Sequence, residues 1–273
     1  MIERRRLMLG LGASLAMVSP ARALAAPSRF AWPQGKQAAV SLTYDDGLNS
    51  QLDIAAPQLE AHGLRGTFFL TETNMQGRLA DWMALEARGH EIGDHTVSHP
   101  CELRPFTPKS FEAKELAPVE AYLDAHFTTP RPRLFAYPCG ATELGRRGGH
   151  NARRRAYLSD VQADFRAART VDGGPNDPRL VGRFRYLLQA QAPTYDLDDP
   201  KPALDYVRSA LDRGYWAILI FHDVLEARRG EGDTSRAVHE AILDWLAGQP
   251  VWCAPMGKAF DYILAQGAAT PAA

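Results

Sequence analysis

Short β-rich runs alternate with helical stretches along nearly the whole chain, and no other feature restricts the architecture as strongly. The runs that read as strands are Ala38–Thr43, Gly66–Leu70, Glu91–Asp94, Leu134–Ala136, Ala168–Thr170, Leu180–Phe184, Trp216–Phe221 and Val251–Ala254. Helical patterns lie between them at Leu52–His62, Leu79–Arg88, Pro108–His126, Arg153–Phe165, Pro202–Arg213 and Thr234–Gly248. Strands that alternate with helices argue for a parallel α/β sheet or barrel. No repeat or low-complexity linker interrupts the stretch from Phe30 to Gly267, so residues 30–267 read as a single domain.

The first 25 residues follow a different logic. Arg4, Arg5 and Arg6 precede an apolar middle, and Ala23-Leu24-Ala25 supplies a small-residue end. That is the layout of a bacterial export signal over residues 1–25. The consecutive arginines before Leu-Met-Leu resemble a twin-arginine signal, although Glu3 stands where Ser or Thr is usual. The apolar run is short and broken by Gly and Ser, so no stable membrane span is expected once it is cleaved. The expected location is therefore the periplasm or the extracellular space. Cleavage there would leave 27 basic against 31 acidic residues, a net charge of −4, compared with −1 for the full chain. Neither value implies a general attraction to nucleic acid or an anionic membrane. Three cysteines, Cys101, Cys139 and Cys253, are too few for a disulfide framework. One bridge is possible in an oxidising compartment, and the sequence does not say which.

Parallel α/β folds place their chemistry at strand ends. Asp45-Asp46 follows the first strand, His95 and His99 follow Glu91–Asp94, Pro138-Cys139-Gly140 follows Leu134–Ala136, and His222-Asp223 follows Trp216–Phe221. Asp-Asp-Gly taken alone reads as an acidic turn closed by glycine. Two histidines four apart fall on one face of a helical turn, within reach of one ion. A carboxylate of Asp45-Asp46 would complete the three-ligand set common to catalytic zinc.

The segments TYDDG, HTVSHP, FAYPCG and LIFHD, in this order from Thr43 to Asp223, resemble the motifs of the polysaccharide deacetylases of carbohydrate esterase family 4, the nodulation-type deacetylase domain. The resemblance implies a deformed (β/α)7-type barrel and a metal-dependent hydrolase. Carried over position by position, Asp46, His95 and His99 match the metal ligands. Asp45 matches the general base and His222 the general acid. Cys139 matches the residue whose backbone N–H holds the oxyanion, and Ile220 a position lining the acetyl pocket. Two imidazoles and a carboxylate make zinc the first choice of divalent ion, with other first-row ions also fitting.

Two departures from the pattern stand out. The family's third motif usually carries an arginine two residues before its proline, where it orients the base; here that position is Ala136. A subset that includes deacetylases of bacterial poly-N-acetylglucosamine shows a similar Phe-Ala-Tyr-Pro run, and Arg133 or Arg183 are the candidate substitutes. The motif whose acid partners the catalytic histidine is not found. Asp172 in TVDGG is the nearest candidate, against its ordinary reading as a turn aspartate. Asp223, on a continuing strand, would point away from His222.

The remaining histidines have no motif support and read as surface or satisfied core residues. The Arg146, Arg147, Arg153, Arg154 and Arg155 cluster reads as a solvated helix face, and Trp216, Trp252, Tyr137 and Phe221 read as core. The expected function is metal-dependent removal of N-acetyl groups from an N-acetylglucosamine-containing glycan: a chitooligosaccharide, peptidoglycan or poly-N-acetylglucosamine. The alternatives are an O-acetyl esterase on a xylan-like glycan, a hydrolase of non-sugar C–N bonds, and a glycan-binding relative with impaired catalysis.

Overall fold

A computed structural model of the protein describes residues 29–196 and 198–269. Its centre is β1, Ala38–Asp46, which is buried at every position except its last. On one side β1 pairs with β2 (Thr67–Leu70), followed by β3 (Glu91–Asp94), β4 (Leu134–Ala136) and β5 (Ala167–Arg169). On the other it pairs with β6 (Trp216–Phe221), while β9 (Val251–Cys253) joins the start of β1. Every pairing in this sheet is parallel. A separate two-stranded pair, β7 (Val224–Leu225) and β8 (Thr234–Ser235), lies beyond the end of β6. The sheet curls into an open barrel, the single-domain α/β architecture that the alternation predicts.

Alternation along β1 sorts its side chains between two cores. Ala38, Val40, Leu42 and Tyr44 pack with Phe68, Leu219 and Phe221 under the surrounding helices. Ala39 packs with Phe69, Ala136, Ile218 and Ile220 on the concave face. Period-two alternation puts Ser41, Thr43 and Asp45 on that same concave face. The polar groups there are satisfied internally. Ser41 donates to the Ala254 carbonyl at 2.8 Å and accepts from the Trp216 indole at 3.0 Å, and Thr43 donates to the Leu219 carbonyl at 2.8 Å. Trp216 is thus a core residue, as are Tyr137 and Phe221.

The gap between β5 and β6 is filled by a segment of irregular backbone. Leu188 bridges Arg169 and Gln191 bridges Leu219, both in parallel sense. A strand at Leu180–Phe184 is expected from the sequence; the structure instead has turns there, and the bridging backbone comes a few residues later. Local bonds explain the difference: Leu180 N–H donates to the Asp177 carbonyl at 2.9 Å and Phe184 N–H to the Leu180 carbonyl at 3.0 Å. Leu180 and Phe184 are also 44% and 47% exposed, so neither supplies the buried face that would hold a strand. β1 runs three residues further than its apolar pattern suggests, because the two aspartates still pair with Phe69 and Leu70 of β2.

Candidate active site

The last two residues of β1 face different surroundings. Asp45 follows the strand's alternation inward and is 1% exposed. Asp46 by alternation would turn toward the helices, but its φ of 77° re-aims it. A positive φ is costly for a non-glycine residue and persists only when the surroundings hold it. The hold is visible, since the Thr71 hydroxyl and the Asn74 amide each donate to the Asp46 carbonyl at 2.9 Å. Gly47 follows with φ 71°, where a Cβ would sit 3.3 Å from Leu70 Cδ2.

His95 and His99 leave the end of β3 in a loop, not on the helical turn that their spacing suggests. Thr96 and His99 take φ of 70° and 54°, and these two left-handed residues bring the rings to a centroid separation of 4.7 Å. Asp94 Oδ1 accepts from Thr96 N–H at 2.7 Å, Thr96 Oγ1 accepts from His99 N–H at 3.0 Å, and Glu115 accepts from both the N–H and the hydroxyl of Ser98. Loop backbone braced in this way meets a distance requirement that the sequence satisfies equally well on a helix.

The three side chains converge. Asp46 Oδ1 lies 3.5 Å from His95 Nε2 and 3.5 Å from His99 Nε2. Two ligands of a tetrahedral zinc at ~2.0–2.2 Å stand roughly 3.3–3.6 Å apart. Asp46 Oδ1 and His95 Nε2 are buried without a hydrogen-bond partner among the described residues. His95 Nδ1 lies 2.8 Å from the Ala136 carbonyl, so the proton sits on Nδ1 and the Nε2 lone pair faces Asp46. Burial lowers the His95 pKa to about 4 despite the nearby Asp45 and Asp46 carboxylates, and the ring is therefore neutral at pH 7. A neutral imidazole and an unpartnered carboxylate oxygen are the donors a divalent cation requires. The residues fit such an ion.

Asp45 has a partner that the sequence reading missed. Its Oδ1 accepts from Arg169 at the end of β5. Arg169 is 0% exposed, and its guanidinium stacks 4.6 Å above the Phe69 ring. Burial would raise the Asp45 pKa; Arg169 above all, with His95 and His222, holds it below the usual carboxylate range. Neither Arg133 nor Arg183 takes the part. Arg133 is bound to Glu120 and Asp124 at 2.9 and 2.8 Å, and Arg183 is exposed beside Phe184. The register identifies the replacement, because Ala136 of β4 stands directly opposite Arg169 of β5. The guanidinium is supplied from the neighbouring strand at the same level of the barrel.

Asp45, Asp46, His95 and His99 line an open cleft of about 670 Å³, with Cys139, Ile220 and His222 also on its wall. Gln51 ties the two sides together, its amide donating to the Asp45 carbonyl and, at 3.2 Å, to the His222 carbonyl. Tyr195, 44% exposed, places its ring 6.2 Å from the His222 ring. Asp172 lines the cleft, but no bond joins its carboxylate to His222 among the described residues. Asp223 instead accepts from the Ser50 hydroxyl. Cys139 has φ 53° and is bonded to Cys101, which leaves Cys253 as the free thiol. Of the other histidines, His239 is fully buried and lies 2.8 Å from both the Tyr44 hydroxyl and Gln58 Oε1. His90, also buried, accepts from the Gly66 N–H at 3.1 Å.

The structure thus combines a curled parallel sheet with a two-histidine, one-aspartate set at its strand ends, beside a buried Asp–Arg pair. Residues 33–160, which carry the Asp-Asp, His-x-x-x-His and Pro-Cys-Gly segments, match the family model described as polysaccharide deacetylase. That part of the chain, just under half of it, is similar to the polysaccharide deacetylases. The same fold occurs in a structure from Mycobacterium smegmatis assigned as a polysaccharide deacetylase, with a TM-score of 0.63, 17% identity and coverage of 88% of this chain and 94% of that one. The peptidoglycan deacetylase PdaC from Bacillus subtilis shares it at a TM-score of 0.53 and 18% identity, over 85% of this chain and 94% of that one. A family 4 pseudoenzyme from Bacillus anthracis shares it at 0.53 and 16%, over 82% and 65%. The fold alone therefore does not decide turnover. A gellan lyase from a Bacillus species is 31% identical over 110 residues; the matched stretch covers 40% of this chain and 4% of that protein's length.

Proposed function

We propose that the protein is a metal-dependent hydrolase that removes N-acetyl groups from an N-acetylglucosamine-containing glycan. The observation that carries this reading is the pair of buried, unpartnered donors, Asp46 Oδ1 and His95 Nε2, meeting His99 beside the Arg169-held carboxylate of Asp45. Asp46, His95 and His99 are the ligands, and zinc suits two imidazoles and a carboxylate. A divalent ion held there supplies Lewis acidity, easing deprotonation of water and polarising the acetyl carbonyl. Asp45, kept ionised by Arg169, accepts the proton of the attacking water. The Cys139 backbone N–H supports the oxyanion that develops on the acetyl oxygen. His222 delivers a proton to the departing nitrogen, which an amine leaving group needs. Ile220 forms the floor against which the acetyl methyl packs.

An open cleft favours a glycan over the small cyclic amides of the alternative reading. The impaired-binder reading loses its first motive, because Arg169 replaces the guanidinium missing at Ala136. Export through residues 1–25 is part of the proposal. That segment lies outside the described residues, and the support for export is its sequence together with a disulfide suited to an oxidising compartment. The signal and its cleavage are checked by sequencing the N-terminus of the mature protein.

The test of activity is acetate release from chitooligosaccharides, peptidoglycan and acetyl xylan by zinc-loaded protein. Release from the N-acetylated glycans, abolished by chelation and restored by zinc, is the expected result. Asp45→Asn is expected to retain zinc and lose at least ~10²-fold in kcat. Release from acetyl xylan alone would redirect the reading to an O-acetyl esterase. No release from any member would overturn it.

A further inference from the structure

The two histidines are held in unequal ways. His95 is buried and fixed by the Ala136 carbonyl. His99 is part-exposed, and its Nδ1 faces Cys101 Sγ at 3.8 Å. Residues 100–107 form neither helix nor strand, and the Leu103 carbonyl, which accepts from Gly145 N–H at 3.1 Å, is one of few backbone ties there. The covalent tie is Cys101–Cys139, which joins positions 38 apart with a Cα separation of 5.4 Å. Its far end is Cys139, which lines the cleft and is itself held at φ 53°. The bridge therefore connects the loop of one ligand to the turn of the oxyanion donor. Both cysteines are exposed to solvent, whereas Cys253 is packed against the helix-side core.

We propose that the Cys101–Cys139 disulfide is the positioning device of this site. Oxidised, it holds His99 against Asp46 and the Cys139 N–H toward the cleft; reduced, it releases both, which makes ion retention and hydrolysis thiol-sensitive. The hydrolysis half rests on the activity proposed above; the ion half rests only on the Asp46, His95 and His99 ligand set. Cys101 is thus a positioning residue acting through its neighbours. Reduction is ordinary exchange: a dithiol gives two electrons and two protons to the bridge, leaving two cysteine thiols and a reagent disulfide. A chain exported already folded would carry the two thiols until a disulfide oxidant of the receiving compartment closed them by the reverse exchange. The site would then be completed only on arrival.

The experiment compares zinc-loaded wild-type protein in three states: oxidised, reduced with dithiothreitol that is then removed anaerobically, and reoxidised with glutathione disulfide. Mass spectrometry after alkylation counts the free thiols. Zinc transfer to a chromophoric chelator is expected to be at least ~10-fold faster from the reduced protein, the scale of losing an outer support of a ligand. The kcat for acetate release is expected to fall by a similar factor, with KM shifting far less, because substrate contacts elsewhere in the cleft are untouched. Reoxidation restores both. Cys101→Ser is expected to be fast in zinc transfer and slow in turnover whatever the redox state, and adding Cys139→Ser makes it no worse. A thermal melt checks that each form is folded at the assay temperature. Unchanged zinc transfer and kcat in fully reduced wild type would overturn the proposal, as would losses that merely track unfolding. If oxidised protein hydrolyses no glycan, the hydrolase reading falls, while zinc transfer still decides the role of the bridge.

Discussion

Asp45 and Asp46 are adjacent in sequence and separate in role because the strand turns between them. Asp45 keeps the inward direction of β1 and meets Arg169; Asp46, at φ 77°, points to the histidines. Repulsion between the two carboxylates is offset on one side by a guanidinium and on the other by the donor set for a cation. The buried Asp45–Arg169 pair makes a strong prediction. Arg169→Met leaves an uncompensated carboxylate in the barrel and is expected to cost about 3–5 kcal/mol in chemical unfolding. The sign of the pH effect follows from the lowered Asp45 pKa. A carboxyl with a depressed folded pKa contributes stability above its unfolded pKa and loses it as pH falls through the folded one. Without Arg169 that contribution is gone and burial instead raises the Asp45 pKa, so the deficit of Arg169→Met is expected to shrink as pH falls and Asp45 protonates, while the acid limb of kcat moves to higher pH. An unchanged pH profile in Arg169→Met would count against Arg169 as the group that sets Asp45.

The strands carry this pairing through a chain of fitted parts. Gly93 of β3 stands opposite Phe69 of β2, and a Cβ at Gly93 would fall 2.5 Å from the Phe69 ring. The missing side chain admits the ring, and the ring carries the Arg169 guanidinium. Gly93→Ala is therefore expected to cost about 1–3 kcal/mol by overpacking and, by shifting Phe69, to lower kcat while zinc binding is kept. Urea titration and zinc titration of the one variant separate the two effects. A kcat loss without destabilisation would mean that the packing argument is wrong. The elements β3, β4 and β6 are legible in the sequence to the residue, and at β6 the apolar run Trp216–Phe221 coincides with the buried run. Leu180–Phe184 misleads because its apolar residues are exposed and local turn bonds outcompete a strand. The left-handed residues of the histidine loop are equally hidden, since a β-branched residue such as Thr96 is a rare occupant of positive φ and a histidine such as His99 only an occasional one.

At the scale of the whole molecule, buried histidines link stability to pH. Burial lowers His239 to about 3 and His90 to about 4. Both remain neutral in the folded protein, while the unfolded chain takes up protons below about 6.5. The unfolded state then binds more protons, and stability is expected to fall as pH drops from about 6.5 toward 3–4. Urea midpoints across that range measure it, and His239→Gln is expected to show a shallower slope; an identical slope would remove His239 from the account.

Local pattern determined much of this protein. Strand–helix alternation decided the parallel α/β class, the polar clusters at strand ends marked the candidate site, and the motif order carried the family resemblance. These are properties of residues close together in the chain, so composition and spacing can express them. Tertiary structure alone decided the rest: Arg169 standing opposite Ala136, Cys101 reaching Cys139, and the Leu188–Gln191 segment filling the barrel between β5 and β6. Each depends on register and on contact between segments far apart in sequence. Such contacts are settled by how the sheet curls and what its interior will pack, and no local spacing of residues encodes that.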